Sequence, residues 1–76
     1  MMKALVAGAS GFIGQHLVRC LVKQGFNVNA LVRNMENFSI TNNVNIFEGD
    51  IFDTDVLGKA VDDVDVVFHL VAKTHD

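Results

Sequence analysis

The chain has 76 residues, of which 50% are hydrophobic and 20% are charged, so it has room for one compact unit and is too apolar for a disordered tail. Six Lys and Arg against nine Asp and Glu give a formal net charge of −3, so we expect no nucleic acid and no membrane as a partner. The single cysteine excludes an internal disulfide and a multi-cysteine zinc site, and the absence of tyrosine excludes acid or base chemistry by a phenol.

The first predicted elements are a buried strand and an amphipathic helix. Residues 3–7 form a short apolar run that ends at Gly8, which is typical of a strand buried on both faces. Residues 12–24 follow a helical period, and Gly25 predicts the end of that helix. The apolar side of the helix is predicted to consist of Ile13, Leu17, Cys20 and Leu21.

The remaining sequence predicts three more strands and a second helix. The strands are expected over residues 27–32, 44–47 and 64–71, with a loop over 33–43. Asp53 or Thr54 is expected to cap a short helix over residues 55–61.

This order of elements predicts an α/β fold with a doubly wound parallel sheet. Parallel neighbours need a crossover connection, and crossovers are right-handed. The expected strand order is therefore 3-2-1-4, with one helix on each face of the sheet. Strand four becomes an exposed edge, so we expect either self-association through it or marginal stability.

The turn between the first strand and the first helix carries three glycines at a spacing of three. Gly8 permits a tight turn, Gly11 lets backbone amides approach a pyrophosphate, and Gly14 allows close packing of the helix on the first strand. The start of a helix attracts anions, and Ser10 adds a hydroxyl donor. The turn alone fits either a tight strand–helix connection or a nucleotide site, and the strand and helix around it favour the nucleotide site.

A basic residue ends the second strand. Arg33 lies 19 residues beyond Gly14, near the roughly 20-residue distance at which an acidic residue would bind a ribose 2′-hydroxyl. Arginine there indicates a 2′-phosphate and hence NADP, while a solvated surface arginine is the alternative. The expected cofactor is NAD or NADP, with a tilt toward NADP.

Three segments resemble the extended short-chain dehydrogenase/reductase family of NAD-dependent nucleotide-sugar epimerases and dehydratases. They are residues 3–18, Gly49 to Asp53 and residues 67–72. The resemblance implies the N-terminal half of a Rossmann-like domain. It also implies that Gly8, Ser10, Gly11, Phe12 and Ile13 line the pyrophosphate, that Asp50 and Ile51 hold the adenine, and that Leu70, Val71, Ala72 and Lys73 pass beneath the ribose and nicotinamide.

The family's catalytic Tyr-x-x-x-Lys is absent from this chain. We therefore expect residues 1–76 to be the N-terminal part of such an enzyme or a truncated reading frame, without its catalytic and substrate-binding parts. Three functions stay open: the cofactor-binding part of a nucleotide-sugar epimerase or dehydratase, that of an NADP-linked carbonyl reductase, or a non-catalytic dinucleotide sensor.

The remaining candidate residues favour structural interpretations. His16 is expected on the surface, His69 in the core, and Cys20 as a small apolar residue on the packed side of the helix. The scattered histidines have no metal-ligand spacing. No apolar run is long enough for a membrane span and the N-terminus lacks a signal-peptide cleavage site, so we expect a cytoplasmic protein.

Overall fold

Strands and helices alternate along the chain in the computed structural model, which describes residues 2–9, 11–34, 38, 43–50 and 52–70. The elements are β1 (Lys3–Ala7), α1 (Phe12–Lys23), β2 (Asn27–Val32), β3 (Val44–Glu48), α2 (Thr54–Ala60) and β4 (Val66–His69).

The four strands form one parallel sheet in the order β3-β2-β1-β4. Val6 of β1 pairs with Ala30 of β2 on one side and with Phe68 of β4 on the other. The predicted doubly wound α/β topology is confirmed, and β4 is an edge strand as expected.

The two helices cover opposite faces of the sheet. Val18 and Leu21 of α1 pack in one cluster with Val6, Ala30 and alternate residues of the central strands. Ala60 of α2 packs on the other face with Leu5, Ala7 and Leu31. Because side chains alternate along a strand, both faces of β1 and β2 are buried, which explains their nearly continuous apolar sequences.

The buried side of α1 agrees with the predicted stripe at Leu17 and Leu21 and differs at its other two residues. Its buried residues are Gly14, Val18 and Leu21, whereas Ile13 is 69% exposed and Cys20 is also exposed. A Cβ at Gly14 would lie 2.5 Å from the carbonyl oxygen of Gly8, so the helix rests on the turn at this glycine. Each residue turns about 100° around a helix, so a stripe through Gly14 moves Ile13 and Cys20 outward.

Most predicted boundaries hold within two residues. α1 ends at Lys23 with Gln24 as its C-cap, and Gly25 follows at φ +92°. β3 extends to Glu48, and Asp53 caps α2 by accepting from the Val56 amide. β4 is shorter than predicted, although Val71 lies outside the described residues. In the part of the chain that the structure describes, no helix is long and apolar enough to cross a bilayer.

Candidate functional site

Backbone hydrogen bonds join the carboxyl ends of β1 and β2. The amides of Gly8 and Ala9 both donate to the carbonyl oxygen of Leu31, at 3.1 and 3.2 Å. Gly8 has φ +84°, which only glycine adopts readily, and this reverses the chain directly above the sheet. The glycine-rich turn is therefore fixed to the end of β2, where Arg33 begins the next loop.

The ends of β3 and β4 are held at the same edge. The Gly49 amide donates to the carbonyl oxygen of Val32 at 2.8 Å, and the Leu70 amide donates to that of Ala7 at 2.9 Å. All four strands therefore end at one edge, which we call the carboxyl edge. Open α/β sheets bind ligands in the crevice at this edge.

The start of α1 is open to solvent at the carboxyl edge. Its N-cap is Gly11, and the first intrahelical bond runs from the Gln15 amide to the Gly11 carbonyl at 2.9 Å. The amides of Phe12, Ile13 and Gly14 precede that bond, where a helix supplies no acceptor. Phe12 is 91% exposed, and no acidic residue lies in the first turn. This helix end can therefore receive an anion.

The three glycines of the turn differ in the space around them. A Cβ at Gly14 would meet backbone atoms of Gly8 and Ala9 at 2.5 and 2.8 Å. A Cβ at Gly11 would meet nothing closer than the Gly8 carbonyl oxygen, at an ordinary 3.7 Å. Gly14 is thus needed for packing, whereas the fold does not need a glycine at position 11. The missing side chain at Gly11 leaves the backbone open to a ligand.

Arg33 and Asp50 meet where β2 and β3 end. The Arg33 Nη2 lies 3.9 Å from the Asp50 Oδ2, with the two side chains 83% and 49% exposed. The other Asp50 oxygen accepts from the Phe52 amide at 2.9 Å, which fixes the carboxylate in a local turn. The site therefore presents a positive and a negative group side by side at the carboxyl edge.

The described members of the predicted site all lie at this edge. One group lies in the turn and at the start of α1. Arg33 and Asp50 are neighbours, and the Leu70 amide donates a hydrogen bond to the end of β1. Sequence reasoning placed Arg33 and Asp50 singly and missed their contact, which depends on the pairing of β2 with β3. Ser10, Ile51, Val71, Ala72 and Lys73 lie outside the described residues.

Two residues set apart from the site are placed differently from the prediction. Cys20 is exposed, with its Sγ 3.8 Å from the His16 Nε2 one turn away, because the helix rests on Gly14. His69 is exposed rather than in the core. It shares a face of β4 with Val67, on the side of α2, and α2 lies mainly against β2 and β3.

Comparison with known proteins identifies the family. A family model described as NAD(P)H-binding matches residues 8–76, from the first glycine of the turn onward. The chain belongs to this NAD(P)H-binding family. The resemblance drawn from the sequence is confirmed, since the similar proteins include a UDP-glucose 4-epimerase and the similar structures include an enzyme in complex with NAD+.

Two relatives and one structure illustrate the match. UDP-glucose 4-epimerase of Lactobacillus helveticus is 37% identical over 75 residues, covering 93% of this chain and 23% of that protein. The 2-alkyl-3-oxoalkanoate reductase of Stenotrophomonas maltophilia is 42% identical over 72 residues, covering 95% and 22%. The crystal structure of Bordetella bronchiseptica WbmH in complex with NAD+ has a TM-score of 0.83 at 27% identity, covering 100% and 27%.

The chain spans about a fifth of the length of the curated relatives it matches. The family model covers the glycine-rich turn, both helices and strands β2, β3 and β4. The match to WbmH covers the whole chain. The family and the Rossmann-like fold therefore apply to this chain, which is an NAD(P)-binding unit of that type.

Proposed function

We propose that this chain binds the pyrophosphate of NAD or NADP at the start of α1 and serves as the coenzyme-binding part of an epimerase, dehydratase or reductase. The observation that carries the proposal is the solvent-open helix start beside Gly11, where no described residue makes a side-chain cap hydrogen bond. Backbone amides and the helix dipole there attract a diphosphate, although the chain as a whole is acidic. The family membership supports the same ligand.

The pyrophosphate site is assigned to the turn and the first residues of the helix. Gly8 directs the chain across the carboxyl edge, and Gly11 leaves room for the phosphates. The amides of Phe12 and Ile13 are the available donors, because they precede the first intrahelical bond. Ser10 is proposed to supply a hydroxyl donor to the pyrophosphate, on the family resemblance alone.

The adenosine end is assigned to the ends of β2 and β3. Asp50 accepts from the adenine amino group, and Ile51 lies against the ring. Asp50 supports this role by its position at the carboxyl edge and by a carboxylate oriented through the Phe52 amide. Ile51 has its role from the resemblance only.

The far end of the coenzyme is assigned to the exit of β4. The Leu70 amide donates a hydrogen bond to the Ala7 carbonyl at the end of β1, beside the glycine-rich turn. Leu70, Val71, Ala72 and Lys73 pass beneath the ribose and the nicotinamide. The support is this single hydrogen bond and the order of the family's motifs.

NADP is proposed as the preferred coenzyme. Arg33 presents an exposed guanidinium where β2 ends, and a guanidinium binds a phosphate through paired hydrogen bonds. NAD stays the alternative, because WbmH is a structure with NAD+ and Arg33 already has an acidic neighbour.

The whole protein's reaction is proposed from its relatives. When bound, the coenzyme would supply hydride transfer to or from a substrate carbon. The residues of this chain bind and orient the coenzyme; none is a tyrosine, so they supply no phenol for proton transfer. Because the chain covers 23% and 22% of the length of two such relatives, we propose that it corresponds to the coenzyme-binding part of an enzyme of this kind.

Two substrate classes are supported by particular relatives. The similarity to UDP-glucose 4-epimerase favours a nucleotide sugar, and the similarity to 2-alkyl-3-oxoalkanoate reductase, together with Arg33, favours a small carbonyl compound reduced with NADPH. The absence of tyrosine is what favours the third candidate, a non-catalytic dinucleotide sensor.

Self-association through β4 is also proposed. Among the strands that the structure describes, β4 pairs only with β1, and Val67 on it is 50% exposed. Such an edge offers unpaired backbone groups to a second strand.

The Gly11→Ala variant tests the pyrophosphate site. A methyl group at this position has room in the fold but stands where the phosphates approach, so we expect stability to change by less than about 0.5 kcal/mol and coenzyme affinity to fall at least about tenfold. Isothermal titration calorimetry measures the affinity, and urea denaturation measures the stability.

Gly58→Ala is the matched control, because a Cβ at this exposed glycine of α2 meets nothing within 4 Å. Its affinity should equal that of the unmodified chain. Equal affinity of the Gly11→Ala chain and the unmodified chain would contradict the assignment of the pyrophosphate to this turn.

A further inference from the structure

We propose that Asp50 competes with a 2′-phosphate for Arg33, and so sets how strongly the site prefers NADP over NAD. The inference rests on the proposed function and adds a specificity-determining role for Asp50 that is separate from any contact with adenine. Three features of the structure carry it: the orientation of the carboxylate, the origin of its contact with Arg33, and the exposure of both groups.

The Asp50 carboxylate is oriented by its own loop. Its Oδ1 accepts from the Phe52 amide at 2.9 Å, which leaves Oδ2 as the oxygen directed at Arg33. Because a local hydrogen bond holds it, the carboxylate keeps its place whether or not Arg33 is engaged elsewhere.

The contact follows from the sheet rather than from flexible loops. Val32 pairs with Glu48 at the last register position of β2 and β3, and the Gly49 amide donates to the Val32 carbonyl at 2.8 Å. Arg33 directly follows Val32, and Asp50 directly follows Gly49. The strand register therefore places the acid beside the arginine.

The contact between Arg33 and Asp50 is close enough for electrostatic attraction and weak enough for a phosphate to replace the carboxylate. At 3.9 Å the Arg33 Nη2 lies beyond hydrogen-bond distance of Oδ2, and its side chain is 83% exposed. Exposed ion pairs of this kind are weak, equivalent to about two- to fivefold in an equilibrium constant. A phosphate offers Arg33 paired, charge-assisted hydrogen bonds, so it can displace the carboxylate at that modest cost.

The test measures the dissociation constants of NAD and NADP for the full chain and takes their ratio, Kd(NAD)/Kd(NADP). Both coenzymes carry the same adenine, so any direct contact between Asp50 and adenine cancels in this ratio. Asp50→Asn removes the charge and keeps an oxygen that can accept from the Phe52 amide. We expect this variant to raise the ratio by about two- to fivefold.

Arg33→Ala should lower the ratio, and Asp50→Asn should leave the ratio unchanged when Arg33 is already alanine. Raising the salt concentration should shrink the effect of Asp50→Asn, because the two groups are exposed. Asp62→Asn is the matched control: it removes the same charge from the exposed turn before β4, at the opposite edge of the sheet. Its ratio should equal that of the unmodified chain.

The outcomes separate this inference from the proposed function. If the folded chain binds neither coenzyme, both are overturned. If both coenzymes bind but Arg33→Ala leaves the ratio unchanged, the role of Arg33 and the competition are overturned while the dinucleotide site stands. Two further outcomes, each with a ratio that Arg33→Ala lowers, would overturn only the competition. In the first, Asp50→Asn leaves the ratio unchanged; in the second, Asp50→Asn changes the ratio equally with and without Arg33.

Discussion

Gly14 is the residue on which the approach of α1 to the sheet depends. The positions nearest to a Cβ built there are backbone atoms of Gly8 and Ala9, at 2.5 to 2.9 Å. Backbone atoms cannot move aside as a flexible side chain can, so the turn and the helix would have to separate. Gly14 thereby determines both the packing of α1 and the position of its amides at the carboxyl edge.

Gly14→Ala is expected to destabilise the chain by about 3 kcal/mol, the upper range for overpacking. Gly58→Ala should instead stabilise it by up to about 1 kcal/mol, because alanine favours the helix and has open space there. Urea unfolding monitored by circular dichroism measures both changes. Equal stability of the two variants would show that α1 does not rest on Gly14.

Hydropathy alone predicted the packed side of α1 only in part: Leu21 is buried and Leu17 packs against the core, but the other two predicted residues are exposed. Counting apolar residues selects Ile13 and Cys20, which are exposed, and overlooks Gly14, which has no apolar side chain to count. Gly14 is buried because only a residue without a side chain fits between the helix and the turn. Its role in close packing on the first strand was predicted from its position in the turn, and its nearest backbone atoms belong to the two residues just beyond that strand.

At the scale of elements, Asn29 joins two strands and a helix. It lies in the centre of β2 and is 1% exposed. Its Nδ2 donates to the Ala60 carbonyl at the end of α2, at 2.8 Å, and its Oδ1 accepts from the Asn45 Nδ2 of β3 at 3.1 Å. One buried side-chain amide thus provides a donor for a carbonyl at the end of α2 and a hydrogen bond to the neighbouring strand β3.

Asn29→Ala is expected to cost about 2 kcal/mol of stability, because it leaves the buried amide's partners unsatisfied and opens a gap. Asn45→Ala removes one of the two hydrogen bonds at an exposed position and should cost less than about 1 kcal/mol. Denaturant unfolding of both variants measures the difference. A larger loss for Asn45→Ala than for Asn29→Ala would contradict this role.

The strand boundaries were predictable where glycines or polar residues flank apolar runs, and β1 and β2 match the prediction at both ends. The burial of Asn29 was not predictable in this way. Asn27 and Asn29 share one face of β2, yet the first is exposed and the second is covered by α2. The difference depends on where the helix ends, which the strand's own sequence does not encode.

At the scale of the whole molecule, the edge strand β4 is only partly covered. Val67 and His69 are exposed on one of its faces, while Phe68 packs on the other against the cluster beneath α1. Topology rules predicted this edge, because a right-handed crossover places β4 beside β1. These rules could not predict how much of the β4 face on the side of α2 is exposed to solvent.

Val67→Lys is expected to suppress self-association, because charged side chains on an edge strand oppose pairing with another strand. Sedimentation equilibrium should show mass rising with concentration for the unmodified chain and a monomer for this variant. Val61→Lys is the matched control in the turn after α2, where Val61 is 41% exposed, and it should associate like the unmodified chain. A monomeric unmodified chain at high concentration would contradict the proposal.

The location of the site was predictable from the sequence because parallel strands all end at the same edge. The spacing of Gly8, Gly11 and Gly14 marked its centre. The contact between Arg33 and Asp50 was not predictable, because it needs the register of β2 against β3 and the local turn that orients the acid.

The most direct test of the pyrophosphate site is an amide ¹H–¹⁵N NMR titration of the full chain with NADP and NAD. We predict saturable shifts that are largest for the amides of Gly11, Phe12 and Ile13. A cavity of about 380 Å³ at the opposite edge, lined by Val22, Gly25, Phe26, Asn27 and Asn43, provides the contrast. Saturable shifts confined to that cavity, or none in a folded chain, would contradict the account.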